Sequence, residues 1–256
     1  MRSENRRSKG SIYSIILDKM REGQKQLAVL IDPDKFESIE IVELANKAAI
    51  DYFFIGGSLM SGGNIQRCIQ VIKKNSDIPV IIFPGSSMQI CNTADGILLL
   101  SLISGRNPDL LIGQHVLAAP YLKESGLELL STGYILVDSG RATTASYISN
   151  TTPIPFDKNE IAVCTAMAGE MLGLRLIYLD GGSGALHPVR EQMIRAVKST
   201  ISIPLIVGGG IKSVGEARAA WNSGADLIVM GNAFEDCPGL LLDIADAAHK
   251  NSIIHT

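Results

Sequence analysis

Short, unbroken apolar runs recur along the chain, separated by longer stretches in which apolar residues return every three to four positions. The runs predict strands over residues 27–32, 52–56, 80–83, 97–100, 129–137, 175–179, 205–207 and 227–230. Most lack in-and-out alternation, the pattern of strands buried on both faces of a parallel sheet. The intervening segments predict helices over 39–49, 65–74, 158–172, 189–200, 214–223 and 240–250. In the first of these Ile41, Val42, Leu44, Ala45, Ala48 and Ala49 form one face of a 3.6-residue period. Residues 11–23 read as an extra helix ahead of the first strand. Strand followed by helix, repeated, requires parallel pairing through crossovers. Eight such units, with polar residues of interest at both ends of the chain, predict a closed (β/α)8 barrel of the TIM type; the competing arrangement is an open doubly wound sheet.

Two connections are longer than the rule for such folds. Residues 101–126 predict an irregular loop plus a helix, and residues 140–157 (GRATTASYISNTTPIPFD) are rich in Ser, Thr and Pro. Loops of this length are lids, binding loops or disordered segments. No shift in composition divides the chain, so 1–256 is read as one domain, with 1–10 as a flexible tail.

Composition narrows the function classes. The 256 residues match the usual size of one barrel, and 46% hydrophobic against 19% charged residues is an ordinary globular balance. A formal charge of -3 gives no general field for nucleic acid or acidic lipid. Arg2, Arg6, Arg7 and Lys9 make a short basic head, read as solvated tail. Cys68, Cys91, Cys164 and Cys237 form no C-x-x-C pair and are read as buried small hydrophobes in a reducing compartment. No apolar run is long enough to span a bilayer and the start is unlike a signal peptide, so a soluble, cytoplasmic protein is expected.

In a TIM barrel, chemistry gathers where the strands end. Those positions are Asp32-Pro33-Asp34-Lys35, Gly56-Gly57-Ser58, Pro84-Gly85-Ser86, Ser101, Asp138-Ser139, Asp180 to Gly184, Gly208-Gly209-Gly210 and Gly231-Asn232. Glycine-rich turns expose backbone N–H groups to an anion, and phosphate sites after the seventh and eighth strands recur in this fold. GGGIKS and GNA at consecutive strand ends therefore point to a phosphate-bearing ligand, against the plainer reading of tight turns. Asp32, with the hydroxyl of Ser58 on the neighbouring strand, offers hard oxygen ligands suited to Mg2+; a turn or helix-cap aspartate is the other reading of Asp32 and Asp34. Asp180 could accept a proton from a bound hydroxyl, or cap its own loop. His187 is read as a cap for the helix that follows it, and none of His115, His187, His249 and His255 has metal-ligand spacing with another.

IDPDK, FIGGS, FPGS, SLISGRNPDLLIGQHVLAAP, YLDGGSGA, VGGGIKS and GNAFE, in this order over nearly the whole chain, resemble the geranylgeranylglyceryl phosphate synthase family. The resemblance implies a Mg2+-dependent prenyltransferase that joins a long-chain prenyl diphosphate, typically geranylgeranyl diphosphate, to sn-glycerol 1-phosphate. It implies a Mg2+ site at Asp32 and Ser58. It implies a glycerol phosphate pocket walled by Tyr178, Leu179, Asp180, Gly181, Gly182, Ser183 and Gly184, with Gly208, Gly209, Gly231 and Asn232 as the phosphate cradle. Family members often carry Glu where this chain has Asp180, which places the proton-accepting role of a shorter side chain in question. The resemblance also implies a homo-oligomer, a dimer or a hexamer, and leaves heptaprenyl diphosphate as an alternative donor. Another phosphate-binding TIM-barrel enzyme would share GGGI and GNA without needing the metal site, and a non-catalytic barrel would bind glycerol phosphate without turnover.

Overall fold

The computed structural model describes residues 10–86, 89–231, 233–234 and 237–251. The basic head, Asn232 and His255 lie outside them. The strands are β1 (Gln26–Ile31), β2 (Tyr52–Ile55), β3 (Val80–Ile82), β4 (Gly96–Leu102), β5 (Glu128–Leu136), β6 (Leu176–Asp180), β7 (Leu205–Gly208) and β8 (Leu227–Met230). All pair in parallel in chain order, and β1 closes on β8 with Ala28 opposite Val229. The predicted ring is the one formed.

The apolar runs separate into two layers by alternate residues. Ala28, Tyr52, Phe54, Ile81, Leu98, Leu130, Tyr134, Tyr178 and Ile206 point into the barrel. Their neighbours, among them Val29, Phe53, Ile55, Ile135, Leu179 and Val207, pack outward against the helices. Both layers are apolar, which is why the sequence shows runs and not alternation.

The helices are α1 (Ile12–Arg21), α2 (Glu40–Ala48), α3 (Ile65–Asn75), α4 (Gln114–Ser125), α5 (Thr144–Ser149), α6 (Asn159–Met171), α7 (Glu191–Lys198), α8 (Val214–Asn222) and α9 (Leu240–Asn251). A π-helical turn, Asp109–Gly113, leads into α4. The 140–157 connection, read as lid or loop, contains the short helix α5, started by a capping box between Thr143 and Ser146.

α1 covers the amino-terminal end of the ring. Its Ile12 and Ile16 join the interior layer, and Glu128 accepts hydrogen bonds from Ser11 Oγ (2.6 Å), Ile12 N (2.6 Å) and Tyr13 N (2.9 Å). That carboxylate satisfies main-chain donors a helix start leaves open. The carboxyl end of the ring is left as the mouth. Between β3 and β4 the described residues of 83–95 form no helix, so the outer wall of β4 faces a gap bounded by α4.

Candidate active site

A cavity of about 670 Å³ opens at the carboxyl ends of the strands. It starts inside the ring, where Leu98, Leu100, Leu102, Tyr134 and Tyr178 line it, and crosses the rim to the gap between β4 and α4, lined by Ile90, Ile97, Leu99, Ala118 and Leu122. One end is therefore glycine-rich and polar, the other an apolar trough. The trough lies where the described residues after β3 form no helix.

At the polar end, β6 and β7 finish side by side. Gly181 N donates to Gly208 O at 3.0 Å, extending the ladder by one step, and Gly182 N donates to Asp180 Oδ1 at 2.7 Å. Gly209 has φ +77°, and a Cβ there would stand 2.6 Å from Gly182 N and 2.7 Å from Asp180 Oδ1. Only glycine brings the two turns this close. A Cβ at Gly208 would stand 2.4 Å from the Tyr178 hydroxyl, so that phenol fills the space. Gly182, Ser183, Gly184, Gly209, Gly210 and Gly231 face the cavity. At the start of α8, Ser213 Oγ accepts from Glu216 N at 3.2 Å, and Glu216 accepts from Lys212 N at 2.7 Å.

Asp180 is buried at 5% exposure. Tyr134, opposite Tyr178 in the β5–β6 register, donates its hydroxyl to Asp180 Oδ2 at 2.5 Å. Burial pushes the Asp180 carboxyl above its ordinary value; the bonds from Tyr134 and Gly182 act against that and do not overcome it. The phenols of Tyr134 and Tyr178 are both pushed up, by burial first and then by the Asp180 charge. The rings of Phe83, Tyr134 and Tyr178 form a mutual cluster, with centroids 5.4–5.9 Å apart. Tyr134 and Phe83 carried no role in the sequence reading.

Across the mouth, Asp32 follows β1. Its Oδ1 accepts from Asp34 N at 3.0 Å, and its carboxylate lies 3.4–3.5 Å from where a Gly57 Cβ would stand. Asp32 and Ser58 both line the cavity. Asp34, by contrast, is exposed and accepts from Ser61 N (2.7 Å), Ser61 Oγ (2.9 Å), Gly62 N (3.3 Å) and Gly63 N, which holds its carboxyl down at about 2. It ties the β1 loop to the β2 loop, the turn role weighed for it.

Other expectations need placing. The Leu179 side chain lies in the outer layer, and Gly181 and Gly208 are occupied in strand pairing, so none of these three faces the cavity. Residues Ala233 and Phe234 are helical, with Phe234 N bonded to Gly231 O at 2.9 Å, while Asn232 falls outside the described residues. His187 does not cap α7: Arg190 holds the cap position without a side-chain bond. Cys68 and Cys91 are buried as expected, but Cys164 and Cys237 are exposed.

Comparison with known proteins decides the family. The PcrB family profile matches residues 19–248. The chain belongs to the PcrB family. Curated relatives include the geranylgeranylglyceryl phosphate synthase of Chitinophaga pinensis, 54% identical over 241 residues that cover 93% of this chain and 96% of the relative. The enzyme of that name from Pyrococcus horikoshii is 40% identical over 235 residues, covering 90% and 91%. Among solved structures, (S)-3-O-geranylgeranylglyceryl phosphate synthase from Thermoplasma acidophilum, in complex with its substrate sn-glycerol-1-phosphate, superposes with a TM-score of 0.88 at 33% identity, over 94% of this chain and 99% of that one. The PcrB barrel is thus the fold of these relatives over nearly its full length, and the motif resemblance read from the sequence holds. Among the described residues no helix is long and apolar enough to cross a membrane.

Proposed function

We propose that this chain transfers a long-chain prenyl group, geranylgeranyl in the first instance, from its diphosphate to a hydroxyl of sn-glycerol 1-phosphate, forming an ether and releasing diphosphate. The observation that carries this reading is one cavity that joins glycine turns and a buried carboxylate to an apolar trough. A phosphate ester suits the first end and a hydrocarbon chain the second.

In this reading the turns at Gly182–Gly184, Gly209–Gly210 and Gly231, with Asn232, fix the acceptor phosphate, so its free hydroxyl is held near Asp180 and Tyr134. Positioning of this kind supplies much of the rate in a two-substrate reaction. The allylic carbon–oxygen bond of the donor breaks and its electron pair leaves with diphosphate. The acceptor oxygen bonds to that carbon, and its proton passes to Asp180. The faces of Phe83, Tyr134 and Tyr178 suit a carbon that becomes cationic, and their packing keeps water away from it.

Asp32 and Ser58 would hold Mg2+. Asp32 has no cationic partner among the described residues, accepts one bond from Asp34 N and lines the cavity. Among the described residues no three or more His, Cys, Asp or Glu side chains cluster as a metal cage. One carboxylate and one hydroxyl fit an ion whose remaining ligands are water and substrate phosphate, the habit of Mg2+. When bound, the ion offsets charge on the departing diphosphate.

Self-association belongs to the same reading, and α4 offers a face for it: Val116, Leu117 and Tyr121, with Ile112 just before, are more than half exposed. Light scattering measures the assembly directly.

The test of function is incubation of the purified protein with sn-glycerol 1-phosphate, Mg2+ and labelled prenyl diphosphates of several lengths, followed by butanol extraction. Labelled product with a C20 donor is expected; a strong preference for a C35 donor would move the assignment to the heptaprenyl reaction. No transfer at any length rejects prenyl transfer.

A further inference from the structure

We propose that Arg141, which the motif comparison assigns no role, is a cationic clamp on the acceptor phosphate, carried by the β5 loop. The inference rests on the reading of the glycine turns as the glycerol phosphate site.

The first observation is how the β5 loop packs. Residues 139–143 lie directly on the β6 turn. A Cβ at Gly182 would stand 2.6 Å from Thr143 Oγ1, and one at Gly184 would stand 2.6 Å from a terminal nitrogen of Arg141. Ser139 Cβ is 3.5 Å from the corresponding position at Gly181. Glycine at 182 and 184 thus serves a second purpose: it lets the neighbouring loop, and the guanidinium with it, come down on the turn. The Thr143–Ser146 capping box and the bond from Gly140 N to Asp138 Oδ1 at 2.9 Å fix the loop on either side of Arg141.

The second observation is charge. Arg141 lines the cavity, yet it makes no hydrogen bond or ion pair with any described residue. Lys212 lies on the same glycine-rich side, its ammonium reaching Leu186 O at 3.5 Å. Among the described residues the carboxylates on the cavity wall are Asp32, across the mouth, and Asp180, already bonded by Tyr134 and Gly182. A guanidinium with no counterion among the described residues, set against a glycine turn of the cavity wall, is a site for a phosphate ester, which it can grip through two parallel N–H bonds. Its seat on the β6 turn favours the acceptor over the donor diphosphate, whose proposed ligands belong to the β1 and β2 loops.

The test is calorimetric titration of sn-glycerol 1-phosphate into wild type, Arg141→Ala and Arg141→Lys, paired with steady-state kinetics in both substrates. Arg141→Ala should weaken glycerol phosphate binding and raise its KM by about tenfold to a hundredfold, the usual scale of a lost charge-assisted bond. The KM for prenyl diphosphate should stay within about twofold, since the donor makes no such bond. Lysine should recover part of the loss, because it restores the charge but not the fork. Unchanged binding in the alanine variant, lysine no better than alanine, or a rise confined to the donor KM each overturns the clamp while wild-type binding keeps the functional reading intact. Wild type that binds no glycerol phosphate overturns both.

Discussion

The hydroxyl of Tyr134 donates to Asp180 Oδ2 at 2.5 Å while the main chain of Gly182 donates to Oδ1 at 2.7 Å, so both oxygens of the buried carboxylate are held in place. This short side chain lines the cavity alongside a phenol that itself lines the wall. Asp180→Asn keeps the shape and removes the base, and should lower kcat by about 10²- to 10⁴-fold.

The same pair sets a pH dependence. Because burial raises the Asp180 pKa, its reactive carboxylate is lost on acidification at a pH above the ordinary carboxyl value of 3.8. The Tyr134 bond lowers that pKa, so Tyr134→Phe should move the acid limb of kcat/KM to still higher pH. For stability the sign is opposite. A folded-state pKa above the unfolded one means that stability is lost as pH rises through it, so Asp180→Asn should melt no lower than wild type at neutral pH. An acid limb unmoved by Tyr134→Phe would remove Asp180 from the proton transfer.

Asp32 presents the opposite case, a carboxylate at the mouth whose bond from Asp34 N at 3.0 Å an asparagine oxygen could also accept. Asp32→Asn should abolish turnover at any Mg2+ concentration tried, leave the melting temperature within a few degrees, and spare calorimetric binding of glycerol phosphate. Full activity in that variant would refute the metal assignment.

Much of this architecture could be read from the residues because each strand is buried on both sides. The run Leu227–Met230 reads as a strand buried on both faces, and it forms β8 without a residue's difference. Asp180 reads as the end of its strand and is the last residue of β6, pairing with Leu136 on one side and Gly208 on the other. Tyr134 was not legible. It sits within the run ELLSTGYIL, and only the register that sets it opposite Tyr178 aims it inward. Arg141 escaped for a related reason: its position in a polar loop carries no period, and its meaning comes from Gly184, distant in sequence, allowing it to approach. Side chains made important by a neighbour on another strand leave no pattern of their own.

Glycine substitution separates turn geometry from mere loop flexibility. Gly209→Ala places a Cβ at positive φ and within 2.6–2.9 Å of Gly182 N, Asp180 Oδ1 and Gly181 N. The left-handed conformation alone costs about 1–2 kcal/mol, and the contact forces the β6 and β7 turns apart. Glycerol phosphate binding should fall below detection by calorimetry. Gly215→Ala, in the first turn of α8 with nothing nearer than Ser213 Oγ at 3.9 Å, should be neutral or stabilising by up to about 1 kcal/mol, and active. Equal behaviour of the two variants would mean that the glycine turns have no special geometry to lose.

Asp34 gives a test in which stability, not chemistry, is the readout. Its carboxylate takes donors from Ser61, Gly62 and Gly63, which hold its pKa at about 2 against an ordinary 3.8. A depressed acid contributes stability that is present above the unfolded pKa and lost as pH falls through the folded one. Asp34→Asn keeps one oxygen acceptor but discards the charge, so its melting temperature should lie below that of wild type at pH 5. The gap should shrink as pH falls through the window from about 3.8 to about 2, where the wild-type carboxylate itself becomes neutral. Melts of both proteins across that window measure the gap directly; one that stays constant from pH 5 to the acid end would show that the charge of Asp34 does not hold the β1 and β2 loops together.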